Sequence, residues 1–119
     1  MTPTSQLRAE IHQMHAQLCS GLADPNRLLI LYTLNQSPCN VSDLANETGL
    51  PQPSVSRHLR VLRESGLVTG MREGHSVIYQ LTDERVIEAL DILRSVLAAS
   101  LKKQGELVRT ALEDTYERN

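Results

Sequence analysis

Phenylalanine and tryptophan are absent from this 119-residue chain, and it holds only three tyrosines. Leucine, valine and isoleucine must therefore build the interior, and an aliphatic core this small is expected to lean on a partner subunit. Two cysteines do not make a disulfide framework in a reducing compartment. No run of about 18 apolar residues is present, which excludes a transmembrane segment. The opening stretch MTPTSQLRAE has neither a basic start nor an apolar run, so a secretory signal is not expected and a cytoplasmic location is. Nucleophile–base pairs, phosphate loops and complete metal-ligand sets are also missing, which argues against an enzyme. The length fits a single domain over residues 1–119.

The net charge of −2 looks unfavourable for nucleic acid, but its distribution matters more. Residues 52–75 carry Arg57, Arg60, Arg63 and Arg72 against Glu64 and Glu73, a local +2 between two flanks that are each −2. The basic charge coincides with the run VSDLANETGLPQPSVSRHLRVLRESGLV, residues 41–68. Two short amphipathic patterns there flank Gly49-Leu50, and the second is polar and basic on its outer side. That is the pattern of a helix-turn-helix whose second helix enters the DNA major groove.

A first helix is expected over about Ser5–Ser20, with Leu7, Ile11, Met14, Leu18 and Leu22 at helical spacing. A second opens at Asp24-Pro25, an N-cap carboxylate followed by a first-turn proline. It carries Leu28, Leu29, Leu31, Tyr32 and Leu34, reads as central and buried, and ends at Ser37-Pro38. Asn40 caps a third helix, with Asp43 in its first turn and Gly49 at its end. A fourth runs from Gln52-Pro53 to Ser65-Gly66, burying Val55, Leu59 and Leu62 and turning Pro53, Arg57, Arg60 and Glu64 outward. Strands are expected at 67–72 and 77–81 around a Glu73-Gly74-His75 turn. Thr82 is expected to cap the last helix, whose stripe of Leu90, Leu93, Leu97, Leu101, Val108 and Leu112 weakens at Gln104-Gly105, where a break is expected.

The expected fold is thus mainly α with a small β-hairpin (α+β): a winged helix-turn-helix with five to six helices and a two-stranded wing. Residues 41–66 form the helix-turn-helix, residues 67–81 the wing, and residues 1–22 and 83–119 the homodimer interface. The expected DNA-contacting residues are Gln52, Ser54, Ser56, Arg57 and Arg60 on the recognition helix and Arg72 and His75 on the wing. His58, at the edge of the buried stripe, reads as structural.

Three segments, LADPNRLLILYTL (22–34), residues 41–68 and REGHSVIYQLTD (72–83), resemble the ArsR/SmtB family of winged-helix repressors. The resemblance implies a homodimer that binds a pseudo-palindromic operator and releases it on sensing a metal ion, a metalloid or a thiol-reactive signal. It covers about half the chain. The family usually has serine where Pro51 stands. Its sensors often carry a CVC-D-L type motif where this chain reads Cys39-Asn40-Val41-Ser42-Asp43-Leu44, so that thiolate site is absent or remodelled. A second family metal site on the last helix is matched by Asp83 alone, because Arg85, Val96 and Ala99 replace the other ligands.

Sensing, if present, falls to Cys19, Cys39 and His15. Cys39 precedes a helix N-terminus, which tends to lower a thiol pKa. His12, His15 and Cys19 share a ~60° sector of the first helix, but His12 lies about 10 Å along the axis from Cys19. The second helix separates the cysteines by about 16 Å of rise, beyond disulfide reach unless the first helix folds back, and pairing across subunits is easier. Soft ions such as As(III) or Cd(II), or oxidants and polysulfides, suit these thiols. Two alternatives stay open: a ligand-independent repressor with structural cysteines, and a protein-interaction module that does not bind DNA.

Overall fold

The computed structural model describes residues 3–117. It has two compact parts, residues 1–84 and residues 85–119. The first part contains α1 (Pro3–Met14), a π-helical turn (His15–Cys19), α2 (Ser20–Leu22), α3 (Pro25–Gln36), α4 (Val41–Thr48), α5 (Gln52–Glu64), β1 (Val68–Glu73) and β2 (Ser76–Leu81). The second is one long helix, α6 (Arg85–Glu117).

Local chemistry sets most boundaries in the first part. Asp24 caps α3 through Oδ1, which accepts from the N–H groups of Asn26 and Arg27 at 2.8 and 3.2 Å. Partial burial pushes this carboxyl pKa up, but those two N–H groups and the nearby charges of His58 and Arg27 outweigh it and hold the pKa below its ordinary value. Asn40 caps α4 in the same way, accepting from Asp43 N–H at 2.8 Å. Gly49 ends α4 at φ 75°, a left-handed conformation that favours glycine.

Packing does the rest. Ile30, Leu31 and Leu34 of α3, Leu44 of α4 and Val55, Leu59 and Leu62 of α5 form an aliphatic core. α5 packs against α3, α4 and β1. α3 is less enclosed than its composition suggests: Leu29 is exposed and Leu28 and Tyr32 are half-buried. β1 and β2 pair antiparallel from Val68↔Leu81 to Glu73↔Ser76 around a tight Gly74-His75 turn. Glu73 therefore belongs to the strand and not to the turn. Cys39 exchanges two backbone hydrogen bonds with Tyr79, at 3.1 and 2.8 Å, and so adds a third short edge to the wing.

Three expectations need correction. The first helix does not stop at Ser20. It runs on to Leu22 through a π-helical turn, in which Ser20 N–H bonds the His15 carbonyl, and the Ser20 hydroxyl donates to the Ala16 carbonyl at 2.8 Å. Thr82 does not cap the last helix. Its N–H bonds the Leu67 carbonyl at 3.1 Å, which makes it the end of the wing, and α6 begins at Arg85. α6 also passes through Gln104-Gly105 without a break, because one glycine costs a helix only about 1 kcal/mol and the flanking Lys102, Lys103, Glu106 and Leu107 include good helix formers.

Gly21 closes the space between α2 and the end of α5. A Cβ there would lie 2.5 Å from Ser65 Oγ, 2.9 Å from Ser65 Cβ and 3.0 Å from Leu67 Cδ1. Ser65 and Leu67 are both buried. Gly21→Ala is therefore expected to destabilise the protein by about 1–3 kcal/mol, seen as a lower urea midpoint with an unchanged slope.

Candidate nucleic-acid interface

α5 presents its polar side outward because its apolar positions recur at helical spacing. With Val55, Leu59 and Leu62 buried, Gln52, Ser56, Arg57 and Arg60 are exposed and Ser54 is half-buried. Pro51 is the N-cap residue and makes no side-chain cap. Pro53 lacks an N–H, which leaves the first-turn amides of Gln52 and Ser54 as donors toward an anion. Arg57 Nη2 donates to Ser54 Oγ at 3.2 Å, drawing the guanidinium toward the helix start. Arg60 Nε lies 3.6 Å from Glu64 Oε1, with both side chains largely exposed. Such a pair contributes only about 0.3–0.5 kcal/mol and leaves Arg60 available to a phosphate or a base edge.

The structure thus brings five of the seven expected residues onto one helix. Arg72 and His75 sit exposed on the hairpin, Arg72 within β1 and His75 at its turn. His58 is half-buried, and its charge acts on Asp24, which suits a structural histidine. Arg63 was overlooked in the sequence reading: it is exposed in the last turn of α5, beside Arg60 and Glu64 at a shallow surface cleft.

Two other residues that hold the recognition helix have no sequence motif. Arg27 Nε donates to the Gly21 carbonyl at 2.8 Å, and Nη2 donates to the Ser20 carbonyl at 3.1 Å, tying α3 to the end of the first helix. Gln17, inside the π-helical turn, donates from Nε2 to the Ser65 carbonyl at 3.3 Å. Ser65 is the C-cap residue of α5. Only the folded chain brings positions 17 and 65 together.

The two cysteines have different environments. Both are free thiols. Cys19 is half-buried at the end of the π-helical turn that also contains His15. Cys39 is 7% exposed, and its thiol donates to the Ser37 carbonyl at 3.3 Å. Burial pushes the Cys39 pKa up, the carboxylates of Asp43 and Glu47 push it further, and a side-chain hydrogen bond with Ser37 only partly opposes them. This reverses the expectation of a thiolate favoured by the helix end. The capping N–H of Asp43 is already taken by Asn40, and the acidic side of α4 faces the sulfur. Among the described residues, no three His, Cys, Asp or Glu side chains are grouped as a metal ion requires.

Thiolate attacks and thiol does not. Cys19 is therefore expected to react with a disulfide reagent at neutral pH well before Cys39. The native protein should show one fast thiol and one slow one, and raising the pH should accelerate Cys39. Equal rates would contradict the burial of Cys39.

The profile of the bacterial regulatory proteins of the arsR family matches residues 24–69, from the cap of α3 into β1. The chain is 43% identical over 89 residues to the HTH-type transcriptional regulator NmtR of Mycobacterium tuberculosis, covering 75% of this chain and 74% of that one. It is 42% identical over 103 residues to the HTH-type transcriptional regulator CmtR of Mycobacterium bovis, covering 86% and 87%. Among solved structures it is similar to the homodimeric winged helix-turn-helix DNA-binding domain (fragment 1–100) of a possible ArsR-family transcriptional regulator from Mycobacterium bovis. That similarity has a TM-score of 0.71 and 30% identity, over 85% of this chain and 94% of that one. No described helix is long and apolar enough to cross a membrane. Identity over three quarters of its length, on a helix-turn-helix with a two-stranded wing, shows that this chain belongs to the ArsR family of regulatory proteins.

Proposed function

We propose that this chain is a homodimeric repressor that reads a pseudo-palindromic operator with α5 and the wing and releases it on a thiol-directed signal. The observation that carries the DNA-binding reading is the exposed set Gln52, Ser56, Arg57 and Arg60 on a helix anchored by Val55, Leu59 and Leu62. Two such helices in a dimer would lie about 34–36 Å apart, one turn of DNA. Arg57 and Arg60 serve guanine edges or phosphates, the first-turn amides serve a phosphate, and Arg72 and His75 track the backbone beside the groove.

The signal is read first by Cys19, the more accessible thiol, with His15 in the same turn and Cys39 as the second sulfur. A soft ion such as As(III) or Cd(II) displaces the thiol proton and binds sulfur, whereas an oxidant or polysulfide modifies it. Either event alters the π-helical turn from which Gln17 bonds the end of the recognition helix. A coupling of about 1–3 kcal/mol between the two sites suffices for a several-fold to hundred-fold loss of DNA affinity. A second reading, a repressor without a small ligand, is favoured by the burial and raised pKa of Cys39.

The test is fluorescence anisotropy of the reduced, metal-free protein on DNA from upstream of its own gene, before and after As(III), Cd(II), Zn(II) or polysulfide. Tight binding lost with one thiol-seeking agent is expected, and binding that no agent disturbs would support the second reading. Cys19→Ser should keep DNA affinity and lose the response, whereas Cys39→Ser should weaken the response less. Arg57→Ala should cost about 1–3 kcal/mol of binding if the residue reads a base. If it neutralises a phosphate, the salt dependence should flatten by about one unit of log–log slope per protomer instead.

A further inference from the structure

α6 continues well past the last leucine needed to close a small winged-helix domain, and it does so with a regular apolar repeat. Leu93, Leu97 and Leu101 are followed 11 residues later by Gln104, Val108 and Leu112. An 11-residue period corresponds to about 3.67 residues per turn, close to the α-helix itself, so the row stays on one side of a nearly straight helix. Apart from Gln104, each of these side chains is more than half exposed, from 56% at Leu101 to 61% at Leu93. Leu107, at 63%, lies beside the same row. The opposite side holds Glu88, Asp91, Lys102, Glu106, Arg109 and Glu113, charges of both signs suited to water. The helix therefore has one apolar seam about 29 Å long and one solvated back.

We infer that this seam, Leu93 to Leu112, pairs with the same seam of a second copy of the chain, forming a two-helix clamp distinct from the DNA-reading elements. The inference rests on the dimer proposed above and extends it along α6. Three features favour a second copy over an unrelated partner. Every copy exposes the same seam at the same concentration. The steps of the row, 4, 4, 3, 4 and 4 residues, read the same in both directions, so an identical helix matches the spacing along its whole length. The charged back rules out burial on all sides, as in the middle of a larger bundle, and leaves one helix-sized face to cover. Gln104 is the single polar member of the row and weakens the seam at its centre, in the way that a polar core residue lowers the stability of a coiled coil.

Sedimentation of the full chain, with circular dichroism for helix content and anisotropy for DNA, tests this. The Val108→Glu/Leu112→Glu variant places charges in the seam and, since both side chains are exposed in the single chain, leaves the fold intact. Its dimer dissociation constant should rise by about tenfold or more, with helix content unchanged. Gln104→Leu should tighten the dimer several-fold, and Glu106→Lys, on the back of the helix, should leave it unchanged. A dissociation constant unaltered by the double variant, or a wild-type chain that stays monomeric at micromolar concentration, overturns the inference. Seam variants that weaken a dimer which never binds DNA would uphold the clamp and sink the repressor reading. DNA binding with seam variants that change nothing would do the reverse.

Discussion

Burial of Val55, Leu59 and Leu62 is the constraint on which the DNA-reading side of the molecule depends. Each such side chain contributes about 1.5–3 kcal/mol when removed from water, and together they fix the rotation of α5 about its own axis. Once that rotation is set, Arg57 and Arg60 must point outward, and no further interaction is needed to aim them. The weak Arg60–Glu64 pair fits this arrangement, because a residue that must exchange its partner for a phosphate cannot be held tightly beforehand.

The two ends of α5 are treated differently. Its start is bare: Pro51 offers no side-chain acceptor, and the exposed amides keep their partial positive charge. Its end is gripped. Ser65 is buried, Gly21 packs against it with no room for a methyl group, and Gln17 bonds its carbonyl. The grip comes from the π-helical turn that also contains His15 and Cys19. π-Helical turns are rare and often mark functional positions. This one joins the accessible thiol to the recognition helix through a few hydrogen-bonded residues.

Cys39 occupies a busier place and has quieter chemistry. Its backbone completes the edge of the wing, its neighbour Asn40 caps α4, and its sulfur is shut in beside Asp43 and Glu47. A residue that serves the sheet and precedes the helix-turn-helix is well placed to transmit a disturbance but poorly placed to receive one. Cys19 has the opposite character.

Much of this was legible in the residues themselves. Asp24, Asn40 and Gly49 act on atoms within three or four positions along the chain, so their roles follow from short-range chemistry. The buried stripe and outward face of α5 follow from the helical period alone. The hairpin register follows from a tight turn between two β-prone runs. The remaining features needed the folded chain, because each depends on atoms far apart in sequence. Gln17 meets Ser65 across 48 positions. Thr82 is drawn into the wing by Leu67. The Cys39 thiol is held protonated by burial and by carboxylates that override the helix end. The sequence by itself determined where helices start, stop and turn their apolar sides, since those depend on neighbours. Only the tertiary structure decided which thiol is open and what grips the end of the recognition helix, since desolvation and close approach exist only once distant segments pack.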